Sequence, residues 1–214
     1  MKSLRITEIF HSIQGESLSV GLPTVFVRLT GCPLRCSYCD TSYAFKGGKS
    51  LSMTEIMEAV NSYQAQYVCV TGGEPLAQPA CVDLLSQLCE LNYQVSLETS
   101  GALLIPEDRP NNLKIVMDLK TPSSGELDKN DWDNLPRLTT KDQIKWVICD
   151  RQDYDWAKQV MTEHDLDQKV HCLFSPVNPG LNPADLAGWI LADRLNVRLQ
   201  VQLHKYLWGN QPGK

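Results

Sequence analysis

The sequence is most informative at first for what it lacks. It has no apolar run near the ~20 residues that cross a bilayer. The opening stretch, MKSLRITEIF, carries no continuous apolar segment of the secretory kind. A cytoplasmic protein is expected. There is no Lys/Arg-rich run, and 20 basic against 25 acidic residues leave a net charge of −5. Attraction to nucleic acid or to an anionic membrane is therefore not indicated. No internal repeat and no low-complexity tract appears. A disulfide framework is also not expected: 214 residues are too many for the small secreted scaffolds that rely on one. The length suits one domain, residues 1–214, with a loosely held tail over 208–214.

What is present alternates strand and helix. Arg5–Ile9, Thr24–Leu29, Tyr67–Val70, Tyr93–Leu97, Leu113–Met117, Gln143–Ile148, Val170–Phe174 and Arg198–Leu203 read as strands, rich in β-branched and aromatic residues. Ser52-Met-Thr-Glu55 is a capping box and opens a helix with Ile56, Ala59, Val60 and Tyr63 on one stripe. Pro79 introduces a second helix, with Cys81, Leu84, Leu85 and Leu88 inward. A third runs from about Asp153 to Glu163 on Ala157, Val160 and Met161. Asn182-Pro183 caps a fourth, reaching about Leu195. Thr121–Arg137 is polar and turn-rich, with a short helical piece near Trp132. Strands joined by helices pair in parallel through right-handed crossovers. A closed eight-unit barrel takes roughly 250 residues, so a partial, open β/α barrel is expected.

In such folds the chemistry collects beyond the carboxyl ends of the strands. There the sequence places the cysteine loop, Thr71-Gly-Gly-Glu-Pro75, Glu98-Thr-Ser-Gly101, Asp118-Leu-Lys-Thr121, Ser175-Pro-Val-Asn178, and Gln202, His204 and Lys205. The two glycines of TGGEP allow backbone to approach a ligand closely. Glu74 can accept from an ammonium group.

Eight cysteines sort into two groups. Cys69, Cys81, Cys89, Cys149 and Cys172 lie among aliphatic neighbours and read as small core residues. Cys32, Cys36 and Cys39 fall within eight residues, GCPLRCSYCD. Zinc would need a fourth donor, for which His11, Cys69 and Cys172 are candidates. Cys36–Cys39 alone could be a redox pair, leaving Cys32 unexplained. An iron–sulfur cluster held by three thiolates would keep one iron open for a small molecule.

C-x-x-x-C-x-x-C followed by TGGEP resembles the radical S-adenosylmethionine superfamily. In it the open iron of a [4Fe-4S] cluster is chelated by S-adenosylmethionine, whose reductive cleavage yields a 5′-deoxyadenosyl radical. With His11-Ser-Ile-Gln-Gly-Glu16 upstream and QLHKYL near the end, the chain is similar to the 7-carboxy-7-deazaguanine synthase family over about Ile6 to Leu207. The resemblance implies an abbreviated barrel, a homodimer, and a lyase of queuosine and deazapurine biosynthesis. That lyase converts 6-carboxy-5,6,7,8-tetrahydropterin to 7-carboxy-7-deazaguanine with loss of ammonia. A magnesium ion and an electron donor such as flavodoxin or ferredoxin are also implied.

Position by position, the resemblance implies a cluster on Cys32, Cys36 and Cys39. S-adenosylmethionine would meet Tyr38, Asp40, Gly72, Gly73, Glu74, Ser100, Gly101, Asp118, Leu119 and Lys120. Substrate would meet Ile13, Gln14, Gly15, Glu16, Arg28, Thr99, His204 and Lys205. Magnesium would meet Thr41. The chain departs from the family pattern at Ser17, where many members carry glycine, and at Asp118-Leu119, where others read Ser-Pro. Two rival readings are an activase for a glycyl radical protein and a non-catalytic, zinc-stabilised binding module.

Overall fold

The computed structural model describes residues 2–209, 211 and 213. Its centre is one sheet of nine strands in the order β3-β1-β2-β4-β5-β6-β7-β8-β9. The strands are β1 (Ser3–Ile13), β2 (Pro23–Leu29), β3 (Lys49–Ser52), β4 (Tyr67–Gly72), β5 (Gln94–Thr99), β6 (Leu113–Asp118), β7 (Gln143–Ile148), β8 (His171–Pro176) and β9 (Arg198–Leu199). From β2 through β9 every pairing is parallel. The edges, β3 and β9, do not meet, so the barrel is open.

Several expectations need correction. The leading strand is longer than Arg5–Ile9 and runs antiparallel to β2. A short polar strand, β3, pairs with it on the other side and leads into the capping box. The last strand stops at Leu199. Leu203–Trp208 is a helix, so His204 and Lys205 sit on helical backbone beyond the Gln202 N-cap. Between β5 and β6 there is no helix. Between β6 and β7 the polar segment forms three short 3-10 turns, the third over Trp132–Arg137. The tail expected to be loose over 208–214 includes positions outside the described residues.

The helices are α1 (Met53–Ser62), α2 (Cys81–Glu90), α3 (Arg151–Glu163), α4 (Leu166–Lys169), α5 (Pro183–Asp193) and α6 (Leu203–Trp208), and three of them start on local capping chemistry. Ser52 and Glu55 cap each other's backbone at the start of α1. Asp150 and Asn182 cap α3 and α5. The apolar stripes of α1, α2, α3 and α5 cover the parallel strands in one core. Tyr63 is the exception. It lies on the surface and donates to the Ile9 carbonyl.

The crossover from β5 to β6 lacks a helix and is pinned by a buried ion pair. Arg109 Nη2 lies 3.0 Å from Asp142 Oδ2, and both side chains are buried. Asp142 also accepts from the Ile115 and Thr139 amides and the Thr139 hydroxyl. Among the described residues, no helix is long and apolar enough to cross a membrane.

Candidate active site

The carboxyl ends of the parallel strands surround a cavity of about 660 Å³, within the range that holds a cofactor and a small substrate. Its metal-facing wall is the cysteine loop. Cys32, Cys36 and Cys39 all line the cavity, are half-buried, and are free thiols. The Ser37 amide and hydroxyl donate to the Ser124 and Ser123 carbonyls, and Gly31 N–H donates to Ala44 O, fixing the loop at both ends. Burial raises the Cys32 and Cys36 thiols, and the Lys120 ammonium acts in the opposite sense.

The glycines of TGGEP line the cavity and also serve this loop. A Cβ on Gly72 would lie 2.5 Å from Leu29 O, and one on Gly73 would lie 2.2 Å from Gly31 O and 2.8 Å from Cys32 Cβ. They let the end of β4 press against the backbone that carries Cys32. Glu74 does not line the cavity. It is fully buried and accepts from Leu76 N, Thr99 Oγ1, and the Ser100 amide and hydroxyl. Its side chain has an internal role: it orients Thr99 and Ser100, which face the cavity. Leu119 is buried in the core, and neither it nor Gly101 lines the cavity.

The other expected residues gather there: Gly72, Gly73, Tyr38, Asp40, Thr41, Asp118, Lys120, Ile13, Gln14, Gly15, Glu16, Arg28, His204 and Lys205 all line the cavity. Asp118 lies 3.2 Å from Lys120 Nζ, and its Oδ1 is buried with no hydrogen-bond partner. Tyr38 Oη is likewise buried and unpartnered, and burial raises its phenol. Thr41 Oγ1 donates to Asp40 Oδ1 at 2.9 Å. Lys205 lies 3.0 Å from Asp40 on the other side. Although burial alone would raise it, Lys205 together with Thr41 and Gln202 holds the Asp40 carboxyl down at about 2.

The antiparallel pair β1–β2 builds the wall around Arg28. Residues Glu8 and Arg28 are register partners, as are Phe10 and Phe26. The pleat therefore puts all four on one face. Arg28 Nε lies 2.7 Å from Glu8 Oε1, which also accepts from the Tyr43 hydroxyl at 2.8 Å. The guanidinium carbon sits 5.9 Å from the Phe10 and Tyr43 ring centres, and Phe10 stacks on Phe26 at 4.9 Å. Among the described residues the two terminal guanidinium nitrogens of Arg28 have no hydrogen-bond partner.

A polar network also lines the cavity, and its one member not expected from the sequence is Lys145. Glu16 accepts from Lys145 Nζ at 2.8 Å and from Gln202 at 2.9 Å. Gln14 donates to Glu98 Oε1, and Thr71 donates to Glu98 Oε2. The last helix docks here: Leu203 N–H donates to Gly15 O, and a Cβ on Gly15 would strike His204 Nδ1 at 2.0 Å. Burial lowers the His204 pKa.

Three thiolates on one cavity wall fit a cluster with an open iron. The alternative fourth donors fail on position. His11, Cys69 and Cys172 are not in the cavity lining, and Cys69 and Cys172 are buried in strands. Among the described residues no three histidine, cysteine or acidic side chains are gathered as a single metal ion requires. Cys149, expected in the core, is instead half-exposed at the end of β7, where burial and Asp153 push its thiol up to about 12.

Fold and thiolate set together define a radical S-adenosylmethionine protein, and the model of the Radical SAM superfamily matches residues 26–190. Membership brings a [4Fe-4S] cluster and S-adenosylmethionine. A 7-carboxy-7-deazaguanine synthase of Chlorobaculum tepidum is 44% identical over 96% of this chain and 94% of its own length. One of Koribacter versatilis is 42% identical over 96% and 97%. The crystal structure of QueE from Escherichia coli superposes with a TM-score of 0.77 at 22% identity, covering 94% of this chain and 95% of that one. The chain belongs to the 7-carboxy-7-deazaguanine synthase family.

Proposed function

We propose that the chain converts 6-carboxy-5,6,7,8-tetrahydropterin to 7-carboxy-7-deazaguanine and ammonia. The observation that carries the reading is the cavity itself, with three thiolates on one wall and a preset guanidinium on another. Cys32, Cys36 and Cys39 would hold the cluster, which with S-adenosylmethionine would supply the one-electron chemistry that starts the reaction. The chain's own residues bind, orient and shield. Arg28, fixed through Nε by Glu8, presents its free terminal nitrogens to the substrate carboxylate as a two-pronged donor. The stacked Phe10 and Phe26 offer an apolar wall near the ring. Gln14, Glu16 and Thr99 supply polar contacts to the ring edge, and His204 and Lys205 close the rim.

On the cofactor side, Gly72, Gly73 and Ser100 line the end nearest the cysteines, and Tyr38, Asp40, Asp118 and Lys120 flank it. The unpartnered Asp118 Oδ1 is an acceptor aimed at a hydroxyl or ammonium of S-adenosylmethionine. Thr41, with its hydroxyl at the rim beside Asp40, is the magnesium ligand, with substrate and water oxygens completing the sphere. One core beneath one sheet supports a single catalytic domain over 1–214. A cytoplasmic homodimer reduced by a flavodoxin or ferredoxin completes the reading.

Anaerobic protein with reductant, S-adenosylmethionine and the carboxytetrahydropterin should form the deazapurine chromophore. Cofactor cleavage without product would favour an activase. Arg28→Ala should weaken pterin binding at least ~10-fold, since a charge-assisted hydrogen bond contributes about 1.5–3 kcal/mol, and should leave S-adenosylmethionine affinity unchanged. Calorimetric titration of each ligand separates the two.

A further inference from the structure

We infer that Lys145 reads the substrate: its ammonium donates to the C4 carbonyl oxygen of the pterin while Glu16 beside it accepts the adjacent N3–H. The inference rests on the pterin reading above and assigns a residue that the sequence motifs leave out.

A pterin is a 2-amino-4-oxo ring. Its N3–H and C4=O form a lactam edge, a donor next to an acceptor. The protein group complementary to a lactam is an acceptor next to a donor at similar spacing. The Glu16 carboxylate and Lys145 Nζ are such a pair: both residues line the cavity, Nζ lies 2.8 Å from Oε2, and Oε1 is the oxygen with room for a further donor. Lys145 reaches this place because β7 turns Gln143, Lys145 and Val147 to one side, while Ile144, Trp146 and Ile148 are buried on the other. Its register partner on β6 is Asp118, 3.6 Å from the ammonium.

The valences are right. An ammonium has three protons. One is given to Glu16, and Asp118 is at ion-pair rather than hydrogen-bond distance, so donors remain for a ligand. A carboxylate has about four lone-pair sites. Glu16 fills three with Lys145, Gln202 and a longer bond of 3.3 Å from Gln200. Two of these fall on Oε2 and one on Oε1, so the remaining site is on Oε1, and it takes one N–H.

The charges hold the arrangement. Burial works against both ions, yet Glu16, Asp118 and Glu98 keep the Lys145 ammonium protonated, and Lys145 keeps Glu16 ionised. Glu98 also acts electrostatically on Arg28. Arg28, Glu98 and Lys145 line the same cavity, so the lactam reader and the carboxylate clamp serve one site.

The test is a specificity measurement on the cluster-loaded enzyme. Two probes are titrated: 7-carboxy-7-deazaguanine, and its counterpart with the ring carbonyl replaced by an amino group. The second compound presents an amine to an ammonium and an unprotonated nitrogen to a carboxylate. Wild type should prefer the carbonyl compound by ~10-fold or more, because each mispaired buried group is costly. Lys145→Met should reduce that preference to below about 3-fold, and Lys145→Arg should retain most of it. A Lys145→Met protein with the wild-type preference overturns the inference. A purely structural lysine would weaken both probes together, and that result overturns it too. A second measurement needs no variant: product labelled with 13C at the carbonyl should shift downfield on binding, and an unmoved signal also overturns the inference. Wild type that binds neither carboxytetrahydropterin nor product overturns the pterin reading itself.

Discussion

At the residue scale, the same glycine pair means one thing in the sequence and another in the fold. Gly72 and Gly73 read as backbone bared for a ligand. In the fold they are also bared for Leu29 and for the Gly31–Cys32 peptide. Gly73→Ala must push Cys32 outward, because the clash is with backbone and a Cβ rather than a flexible tip. The variant should keep its secondary structure and lose roughly half or more of its reconstituted iron. Circular dichroism and iron analysis check both halves, and full iron loading would contradict the steric account. Ser17 shows the opposite economy. It stands where many family members have glycine and keeps the turn anyway, with φ of 68°. Its amide donates to Gln200 Oε1 at 2.7 Å, and its hydroxyl accepts from the Ser19 amide. Those bonds offset the cost of left-handed backbone. Glu8 and Lys145 were illegible as site residues. The positions just past the strand ends are loop residues, whereas these two project inward from within β1 and β7.

At the element scale, helices with strong local signals could be read directly. The capping box of α1, the Asn-Pro start of α5 and the leucine stripe of α2 are short-range features, and the structure keeps them. Elements that exist through distant partners could not be read. The strand β3 is a four-residue polar segment ordered by β1. The helix α6 has few helix signals and is set by Gly15 O and the packing of His204. The crossover from β5 to β6 is held by Asp142 rather than by a helix. Removing one side of that buried pair strands the other charge and several donors. Asp142→Ala should cost about 3–5 kcal/mol, read as a lowered urea midpoint. A loss under about 1 kcal/mol, the range of an exposed pair, would show that the ion pair does not hold the crossover.

At the scale of the whole molecule, the open parallel sheet and the shared cavity were legible, since alternating strands and helices with polar strand ends permit few arrangements. The antiparallel margin was not, because strand direction in β1 and β3 depends on loops rather than periodicity. The charges lining the cavity also set how the fold responds to acid. Asp40 titrates at about 2 in the folded chain against an ordinary 3.8, and Glu16 is also lowered. Their stabilisation is present above the unfolded values and is lost as pH falls through the folded ones. His204 is lowered from 6.5, so below that pH the unfolded chain takes up its proton first. All three slopes have one sign. The urea midpoint should fall steadily as pH drops from 7, and His204→Gln should flatten the portion just below 6.5. A midpoint that rises on acidification would refute the assignment.

The contact between Gly15 and Leu203 closes one wall with residues from the two far ends of the strand series. On a ribosome making ~5–20 residues per second, most of the sheet can emerge before that wall exists. A nascent chain can thus expose its three cysteines well before it owns a pocket to protect what they hold. The enclosure around the cysteines is thus incomplete until Leu203 docks on Gly15.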